Sequence, residues 1–143
     1  MAKTLFYTAS TMLVSEGKLL LHMHPKFHTW LQVGGHIEEN ELPHQAALRE
    51  VREEAGIEVA LFQSQQPLLF PRSTTVIRPE HMRFIDTNRG FYFVDFLYYA
   101  AISQCISIQM PNSQFRWFTA RELQEDANIK PDVCYFGLEA IAL

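Results

Sequence analysis

The sequence predicts an α/β fold in which a mixed β-sheet is covered by helices. Apolar, strand-like segments occur in both halves of the chain, and a helical segment with its own start and stop signals follows the strands of each half. The chain has 143 residues, of which 48% are hydrophobic and 20% are charged, an ordinary composition for a globular protein. We therefore expect one domain, over residues 1–143, with one hydrophobic core.

The first half of the chain is predicted to contain two strands, a short third strand and a helix. Residues 5–24 are apolar on both sides of a glycine-containing turn, which predicts a pair of strands. Residues 25–35 predict a loop and a short strand that ends in paired glycines. Residues 41–55 predict a helix, with Asn40 as its N-cap and Gly56 after its last turn.

The second half of the chain is predicted to contain a long apolar strand and two helices. In chain order we predict an extended apolar segment (57–70), a polar hairpin or long loop (73–90), a strand (91–103), a strand that runs into a helix (113–125) and a closing amphipathic helix (131–143). Thr119 is followed three residues later by Glu122, which is the pattern of a capping box at the start of the first of these helices.

Charge and composition exclude several classes of function. The net charge of −4 argues against a broad basic surface that would bind a nucleic-acid polymer, although a bound divalent cation would still allow small phosphate compounds. No apolar run is long enough to span a membrane, and residues 1–10 do not resemble a secretory signal. Cys105 and Cys134 have no second cysteine at zinc-binding spacing, so we expect two reduced thiols in a cytoplasmic protein.

The predicted helix 41–55 carries three glutamates, Glu50, Glu53 and Glu54, within about a third of a helical turn of one another. Apolar side chains on the opposite side can face a core, Ala46 leaves space among the carboxylates, and we expect the interleaved arginines to point elsewhere. Carboxylates at this spacing repel one another, and a hard cation such as Mg²⁺ or Mn²⁺ would remove the repulsion. A solvated acidic surface is the alternative interpretation.

A longer motif covers the turn before this helix, the helix itself and the residues after it. Its members are Gly35, Glu41, Arg49, Glu50, Val51, Glu53, Glu54, Gly56 and Ile57. Every position matches the Nudix box, G-x5-E-x7-R-E-U-x-E-E-x-G-U, in which U is a bulky aliphatic residue, and the flanking segments 30–38 and 115–125 agree with the family as well. The chain therefore resembles the Nudix hydrolases, as a MutT-like minimal Nudix domain, over essentially its whole length.

The resemblance implies the Nudix fold, an α/β/α sandwich with a mixed sheet and a loop–helix–loop that holds divalent metal against a diphosphate. By position, Glu50 and Glu54 resemble the principal metal ligands, with Mg²⁺ or Mn²⁺ as the cofactor. Glu53 resembles a further ligand that can also help to deprotonate water. Gly35 resembles the residue that offers its backbone carbonyl oxygen to the metal.

Arg49 and Glu41 resemble the pair that braces the loop in this family and orients its carboxylates.

The implied activity is hydrolysis of a diphosphate bond in a nucleoside diphosphate linked to another moiety, a small-molecule substrate. Two other classes share the fold. One is a non-catalytic nucleotide sensor or binding module, against which the intact box argues; the other is isopentenyl diphosphate isomerase, which needs a reactive cysteine near the cleft. Many relatives form dimers, so the sequence leaves open whether this chain forms a homodimer.

The chain departs from the family pattern at two positions outside the box. Val33 stands where a proline often precedes the paired glycines, and Arg116 stands where some members carry an extra metal-binding glutamate. An additional acid would have to come from elsewhere in the chain, with Asp95, Asp86 and Glu80 as the candidates.

The substrate signatures outside the box are incomplete, so the sequence does not identify the substrate. Residues 65–73 match the NADH diphosphatase signature only in part, and Pro71 lies only near the place of a proline in ADP-ribose enzymes. A strand edge with two prolines explains both features, and no segment resembles the coenzyme A signature. The candidates for substrate contacts are Asp95, His36, Phe27 and Arg72, and the aromatic side chains that either stack on a base or belong to the core are Phe27, Trp30 and Tyr92.

Three histidines are candidates for a second metal site, one that would bind zinc. His22 and His24 would share one face of a strand, with His28 close by. Such a trio could bind zinc, but no fourth ligand stands at a recognisable spacing, and histidines beside a cleft are more often hydrogen-bonded pocket walls.

Asp95 is the one charged residue in the apolar strand 91–103, whose two faces are both apolar. We therefore expect a central strand that is covered on each side. A buried carboxylate needs partners, either an arginine or backbone amides in a structural pair, or a substrate group in the cleft. We adopt the cleft as the hypothesis.

Overall fold

The computed structural model describes residues 4–24, 28–111 and 113–143, and within these ranges it contains nine strands and three helices. In chain order they are β1 (Thr4–Ser15), β2 (Lys18–Met23), β3 (Trp30–Leu31), β4 (Val33–His36), α1 (Pro43–Ala55), β5 (Leu69–Phe70), β6 (Ser73–Thr74), β7 (His81–Asp86), β8 (Phe91–Ala101), β9 (Gln114–Thr119), α2 (Ala120–Glu125) and α3 (Pro131–Ala142). The strand pair at the start, the helix after the paired glycines and both late helices are confirmed.

Strand β1 lies at the centre of the main sheet, which has seven strands among the described residues. It pairs in parallel with β8, from Thr4 opposite Phe91 to Val14 opposite Ala101. Along its other edge it pairs antiparallel with β4 and then with β2. Strand β7 pairs antiparallel with β8, and β9 pairs antiparallel with β2. The sheet is therefore mixed, as predicted, and β1 holds the glycines of β4 close to β8.

Helices cover both faces of this sheet and bury two cores, which makes an α/β/α sandwich. On one face, Ala47 and Val51 of α1 pack against apolar residues of β1, β4 and β8. On the other face, Leu123 of α2 and Val133 of α3 pack against β1, β2 and β8. The prediction that Ala46 leaves space among the carboxylates is wrong. Ala46 is completely buried, because this part of α1 packs against the sheet and Ala46 belongs to its core.

Helix α1 begins differently from the prediction. Asn40 is not the N-cap; its φ of 64° places it in a left-handed turn, and Leu42 occupies the cap position before Pro43. The side-chain Oε1 of Gln45 accepts a hydrogen bond of 2.9 Å from the backbone N–H of Leu42, which fixes the first turn. At the other end Gly56 closes the helix as predicted, with a φ of 71° in the left-handed region.

The capping box predicted for the second helix is present at the start of α2. The N–H of Glu122 donates to Oγ1 of Thr119 at 3.1 Å, and the N–H of Thr119 donates to Oε1 of Glu122 at 2.9 Å. Arg116, which stands where some relatives carry a glutamate, pairs with Glu122 and lies over the ring of Phe118, 4.3 Å from its centroid. Its guanidinium is therefore tied to the β9–α2 junction.

The region 73–90 is more regular than predicted. It contains β6 and β7, and β7 forms a hairpin with β8 through a turn in which Asn88 and Gly90 have positive φ values. Within 57–70 the extended prediction holds for β5 and for an isolated bridge between Leu61 and Ala100. No helix in the described part of the chain is both long and apolar enough to cross a bilayer.

Candidate active site

The paired glycines of β4 lie directly against helix α1. A Cβ atom on Gly35 would lie 2.5 Å from Oε1 of Glu50, and one on Gly34 would lie 2.7 Å from the carbonyl oxygen of Ala9. The close approach therefore requires glycine at both positions. The backbone N–H of Gly34 also donates a hydrogen bond of 2.7 Å to Oε1 of Glu54. Two carboxylates of α1 are thus held at the same edge of the sheet, here called the glycine–glutamate edge (Gly34, Gly35, Glu50 and Glu54).

Arg49 connects the carboxylates around this edge. Its Nε and Nη2 donate to the two oxygens of Glu41 at 2.8 and 3.1 Å, and its Nη1 donates to Glu50 at 2.8 Å and to Glu53 at 3.0 Å. Nη2 also donates to the carbonyl oxygen of His36 at 2.9 Å. The prediction that the arginines point away from the carboxylates is wrong for Arg49, because its planar fork reaches several acceptors at once.

The Arg49–Glu41 pair is more than a solvated surface contact. Both side chains are only 14% exposed, and the contact is bidentate. The hydrogen bonds from Arg49 hold the pKa of the Glu41 carboxyl below its usual value, and the bonds to Glu41 and Glu50 raise the pKa of Arg49. The pair therefore stays ionised and connects the loop before α1 to the middle of the helix.

Glu54 lies in an unfavourable environment for a carboxylate. Burial raises the pKa of Glu54 to about 7, the charges of Glu50 and Glu53 act in the same direction, and the hydrogen bond from Gly34 opposes them. His22 Nε2 lies 3.9 Å from Oε2 of Glu54, but burial lowers the pKa of this histidine, so it brings no compensating charge at neutral pH.

The donor chemistry of the glycine–glutamate edge fits a hard divalent cation. Glu50 and Glu54 offer carboxylate oxygens, and the backbone of Gly35 lies against Glu50. Burial is the main cause of the raised pKa of Glu54, and a cation would offset both this cost and the smaller repulsion from Glu50 and Glu53. Within the described ranges no three His, Cys, Asp or Glu side chains are grouped so that they could hold a metal ion. Arg49 engages the carboxylates of Glu50 and Glu53.

A cleft of about 280 Å³ opens on the other face of the sheet, between β8, β4 and the start of α3. Asp95 lies in its wall and is 2% exposed. The carboxylate accepts hydrogen bonds from Oγ1 of Thr8 at 2.8 Å, from Oγ of Ser10 at 2.6 Å and from Nη2 of Arg83 at 2.9 Å. The two interpretations of Asp95 therefore coincide in part, because it pairs with an arginine and it also lines the cleft.

Arg83 extends this network to α3, where its Nη1 donates to Asp132 at 2.7 Å. Neither Arg83 nor the hydroxyls of Thr8 and Ser10 were predicted as cleft residues. They carry no motif, and they meet Asp95 only because β1, β7 and β8 are neighbours in the sheet. Period-2 alternation places Thr8 and Ser10 on one face of β1, which is the one signal in the sequence that could have found them.

The other candidates for substrate contacts do not meet Asp95 in the cleft. His36 is exposed at the end of β4, with its ring centroid 5.5 Å from that of Phe6. Arg72 is exposed in the turn between β5 and β6. Phe27 lies outside the described residues. Among the candidates that the structure describes, Asp95 alone lines this cleft.

The proposed stacking residues and additional acids also lie elsewhere. Trp30 is 6% exposed and packs edge-on against Phe118, so it belongs to the core. Tyr92 stacks on a phenylalanine of β7, with ring centroids 5.1 Å apart. Asp86 accepts a backbone hydrogen bond in the β7–β8 turn, and neither it nor Glu80 lines the cleft.

The histidines and cysteines do not form a second site in the part of the chain that is described. His22 stacks on Phe115 with ring centroids 5.3 Å apart, and its centroid lies 6.5 Å from that of His24. Cys105 donates its thiol to the carbonyl oxygen of Ser15, and Cys134 packs into the core below α3. Neither cysteine lines the cleft, so the structure gives no support to the isomerase alternative.

The sequence model of the NUDIX domain matches residues 6–136. The chain belongs to the Nudix family. The fold described above is accordingly the Nudix fold, as the box predicted, and α1 with the turn before it is the Nudix loop–helix–loop.

Solved structures agree with this assignment. A NUDIX-family hydrolase from Clostridium perfringens is 30% identical to this Nudix protein and superimposes with a TM-score of 0.82, over 96% of each chain. The C. elegans Ap4A hydrolase is 16% identical with a TM-score of 0.72, over 98% of this chain and 100% of that one. The E. coli dihydroneopterin triphosphate pyrophosphohydrolase is 18% identical with a TM-score of 0.66, over 97% and 95%. The last two show likeness of fold. Among curated proteins the chain has no significant match.

Proposed function

We propose that this Nudix protein is a metal-dependent hydrolase that cleaves a diphosphate bond in a nucleoside diphosphate linked to another moiety. The observation that carries the proposal is the glycine–glutamate edge, where Glu50 and Glu54 are held against the backbone of β4. The same two glycines line the cleft on the other face of the sheet, so the cleft and the carboxylates share this part of β4. The Nudix family of hydrolases, to which the chain belongs, gives the reaction class.

Each box residue has a distinct part in this proposal. Glu50, Glu54 and the carbonyl oxygen of Gly35 would hold Mg²⁺ or Mn²⁺, which supplies charge to neutralise the diphosphate and lowers the pKa of water. Glu53 would accept the proton of the attacking water. The side chain of Glu53 is 58% exposed, against 14% for Glu50 and 27% for Glu54, so it is the one of the three that water reaches most easily.

Arg49 and Glu41 act as positioning residues. The bidentate contact between them fixes the guanidinium, which in turn holds Glu50 and Glu53 on one side and the carbonyl oxygen of His36 on the other. A carboxylate held by a neutral or mobile partner would sample several rotamers. Fixed geometry is what a reaction between a positioned water and a positioned phosphorus requires.

A substrate panel tests the proposal. Deoxynucleoside and ribonucleoside triphosphates, ADP-ribose, NADH, dinucleoside polyphosphates and nucleotide sugars would each be incubated with Mg²⁺, with Mn²⁺ and with EDTA. We expect phosphate-containing products from at least one compound, and only with metal. Tight nucleotide binding without turnover of any compound would instead support the sensor or binding-module alternative.

A further inference from the structure

A second cavity, of about 570 Å³, lies on the opposite face of the sheet from the cleft that Asp95 lines. Phe96 and Tyr98 of β8 form its wall on the sheet, and both belong to the core on the α1 side. Pro43 at the start of α1 and two loop segments, 63–68 and 74–79, complete the lining. No described residue lines both cavities, so a ligand here would be separate from a substrate in the cleft.

The loop that covers this cavity is anchored to β8 on both sides of Tyr98. The backbone N–H of Phe62 donates to the carbonyl oxygen of Tyr99 at 2.7 Å. The backbone N–H of Glu80 donates to the carbonyl oxygen of Leu97 at 2.8 Å. Between these two points the loop carries the β5–β6 hairpin. The cavity is therefore bounded by backbone that is tied to the sheet at both ends, as expected of a preformed ligand site.

Tyr98 brings an unpaired hydroxyl group to this cavity. The residue is only 1% exposed, and its hydroxyl makes no hydrogen bond with any described residue. Unlike the unpaired oxygens of Thr11 and Ser15, which solvent does not reach, this oxygen is not completely enclosed. Burial raises the pKa of Tyr98 to about 12, so the hydroxyl keeps its proton at neutral pH and can donate it. Buried polar groups are nearly always paired, and an acceptor in the cavity would supply the missing partner.

The lining also carries an uncompensated positive charge. Residues 59–79 contain two arginines and no aspartate or glutamate, in a chain whose net charge is −4. Arg78 lines the cavity, and within the described part of the chain its guanidinium has no ion-pair or hydrogen-bond partner. Arg72 lies in the turn of the hairpin and does not line the cavity. A single guanidinium neutralises one negative charge, which matches a carboxylate better than a doubly charged phosphate.

The rest of the lining is mostly apolar and partly open to water. Leu68 and Val76 are 59% and 47% exposed, and Phe96 is half-buried beneath them in the same cavity. An apolar molecule placed there would remove these side chains from water, which favours binding in proportion to the area that is covered. The cavity thus combines apolar walls with one neutral donor and one cation.

We propose that this cavity is a second ligand site, which binds a small organic acid with an apolar body. The body packs against Phe96, Leu68 and Val76, and the carboxylate oxygens accept hydrogen bonds from the hydroxyl of Tyr98 and the guanidinium of Arg78. Binding requires neither a metal ion nor a diphosphate, so the inference does not rest on the proposed hydrolysis.

Protein-observed NMR on the full chain in EDTA tests the proposal. Phenylacetate, 4-phenylbutyrate, indole-3-acetate and hexanoate would be titrated in, each beside the corresponding primary alcohol, with phenyl phosphate as a doubly charged comparison. We expect at least one acid to bind with a Kd of about 1 mM or less and to shift the amide signals of residues 63–68, 74–79 and 96–98. This acid should bind at least fivefold more tightly than its alcohol and more tightly than phenyl phosphate.

Two variants remove the two polar contacts separately. Tyr98→Phe should weaken binding of the acid at least fivefold without loss of stability, because its hydroxyl makes no bond in the fold. Tyr135→Phe, at a tyrosine of α3 that is 65% exposed, is the matched control and should bind like the parent. Arg78→Gln should also weaken binding of the acid at least fivefold and leave binding of the alcohol unchanged. Arg72→Gln is its control.

The result that would overturn the inference is binding that ignores these groups. This would be the absence of binding by every acid, equal binding of each acid and its alcohol, tighter binding of phenyl phosphate, or unchanged binding in both Tyr98→Phe and Arg78→Gln. Shifts confined to residues of the cleft that Asp95 lines would overturn it as well. Acid binding by a protein that hydrolyses no panel compound would leave the inference standing and remove the proposed function, while hydrolysis without acid binding would do the reverse.

Discussion

The backbone N–H of Gly34 donates a hydrogen bond of 2.7 Å to the carboxylate of Glu54, across 20 residues of sequence. The bond joins β4 to the last turn of α1. Beside it, Glu50 occupies the space that a side chain on Gly35 would fill. The position of both carboxylates therefore depends on two residues that have no side chain, and this dependence can be tested at each of them.

Gly35→Ala should impair activity more than stability. The added methyl would lie 2.5 Å from Oε1 of Glu50, which is the end of a flexible side chain and can turn away. We expect the variant to fold with a loss of about 1 kcal/mol or less, and to lose at least tenfold in kcat/KM because Glu50 is displaced. Urea unfolding and steady-state kinetics measure the two effects.

Gly34→Ala is the matched control for this displacement. Its methyl would lie 2.7 Å from the carbonyl oxygen of Ala9 and 2.8 Å from Cα of Ser10, and these backbone atoms cannot turn away. We expect it to destabilise the fold by about 1–3 kcal/mol, more than Gly35→Ala does. The same stability loss in both variants would show that Gly35 has no special relation to Glu50.

Divalent metal should raise the melting temperature, because binding to the native state alone stabilises it. Glu54→Gln should abolish the rise, while Oε1 of the new side chain can still accept the hydrogen bond from Gly34. Glu58→Gln is the control, since Glu58 is 78% exposed at its side chain and lies beyond the end of the helix. A shift that persists in Glu54→Gln would place the metal elsewhere, and His22 would be the first residue to replace.

The metal effect should depend on pH because of Glu54. Its folded pKa of about 7 lies above the unfolded value of 4.5, so ionisation disfavours the folded state, and the metal-free protein loses stability as pH rises from 4.5 to 7. A cation needs the ionised carboxylate and competes with the proton below pH 7. The rise in melting temperature with Mg²⁺ should therefore be larger at pH 8 than at pH 6. An equal rise at both values would contradict the role of Glu54.

Local signals in the sequence account for much of the fold. The helix that became α1, its end at Gly56 and the capping box of Thr119 and Glu122 were all predictable, since each depends on residues a few positions apart. Strand β7 was not, because its exposed positions include the apolar Met82 and Phe84 while Arg83 lies inward, and because its register depends on pairing with β8. The sequence prediction placed the N-cap at Asn40 because asparagine is favoured both as a helix cap and in a left-handed turn, and Asn40 occupies the turn.

The candidate site was also predictable from the sequence only in part. The box fixed which side chains of α1 matter, but a helical wheel could not show that the fork of Arg49 turns back to Glu50 and Glu53. The partners of Asp95 come from strands up to 87 residues away in sequence, so no local pattern predicts them.

Asp95→Asn tests which of the two roles of Asp95 dominates. The carboxylate is saturated by Thr8, Ser10 and Arg83, so we expect the variant to lose about 3 kcal/mol of unfolding free energy, as when one partner of a buried ion pair is removed. Turnover of the folded fraction at low temperature should fall less than threefold. Asp86→Asn, on the exposed edge strand, is the control. A tenfold loss of kcat/KM with unchanged stability would instead support the hypothesis that Asp95 contacts the substrate directly.

Arg49→Lys should separate geometry from charge. Lysine keeps the positive charge but cannot make the bidentate contact to Glu41 while also reaching Glu50. We expect at least a tenfold loss of kcat with little change in KM, and a stability loss of about 1 kcal/mol. Arg52→Lys is the control on the same helix, because Arg52 is 48% exposed and makes one 3.6 Å contact with Glu58. Equal activity in both variants would mean that Arg49 supplies charge alone.

The central claim is that the carboxylates of α1 carry out a metal-dependent hydrolysis, and Glu53→Gln tests it most directly. The substitution is nearly isosteric at a side chain that is 58% exposed, so the unfolding free energy should change by less than about 1 kcal/mol. The measurement is kcat for the best panel substrate with saturating Mg²⁺, for the parent and for Glu53→Gln. We predict a loss of at least a hundredfold, as expected when a general base is removed. A folded Glu53→Gln protein that binds Mg²⁺ like the parent and turns over within threefold of it would contradict the account.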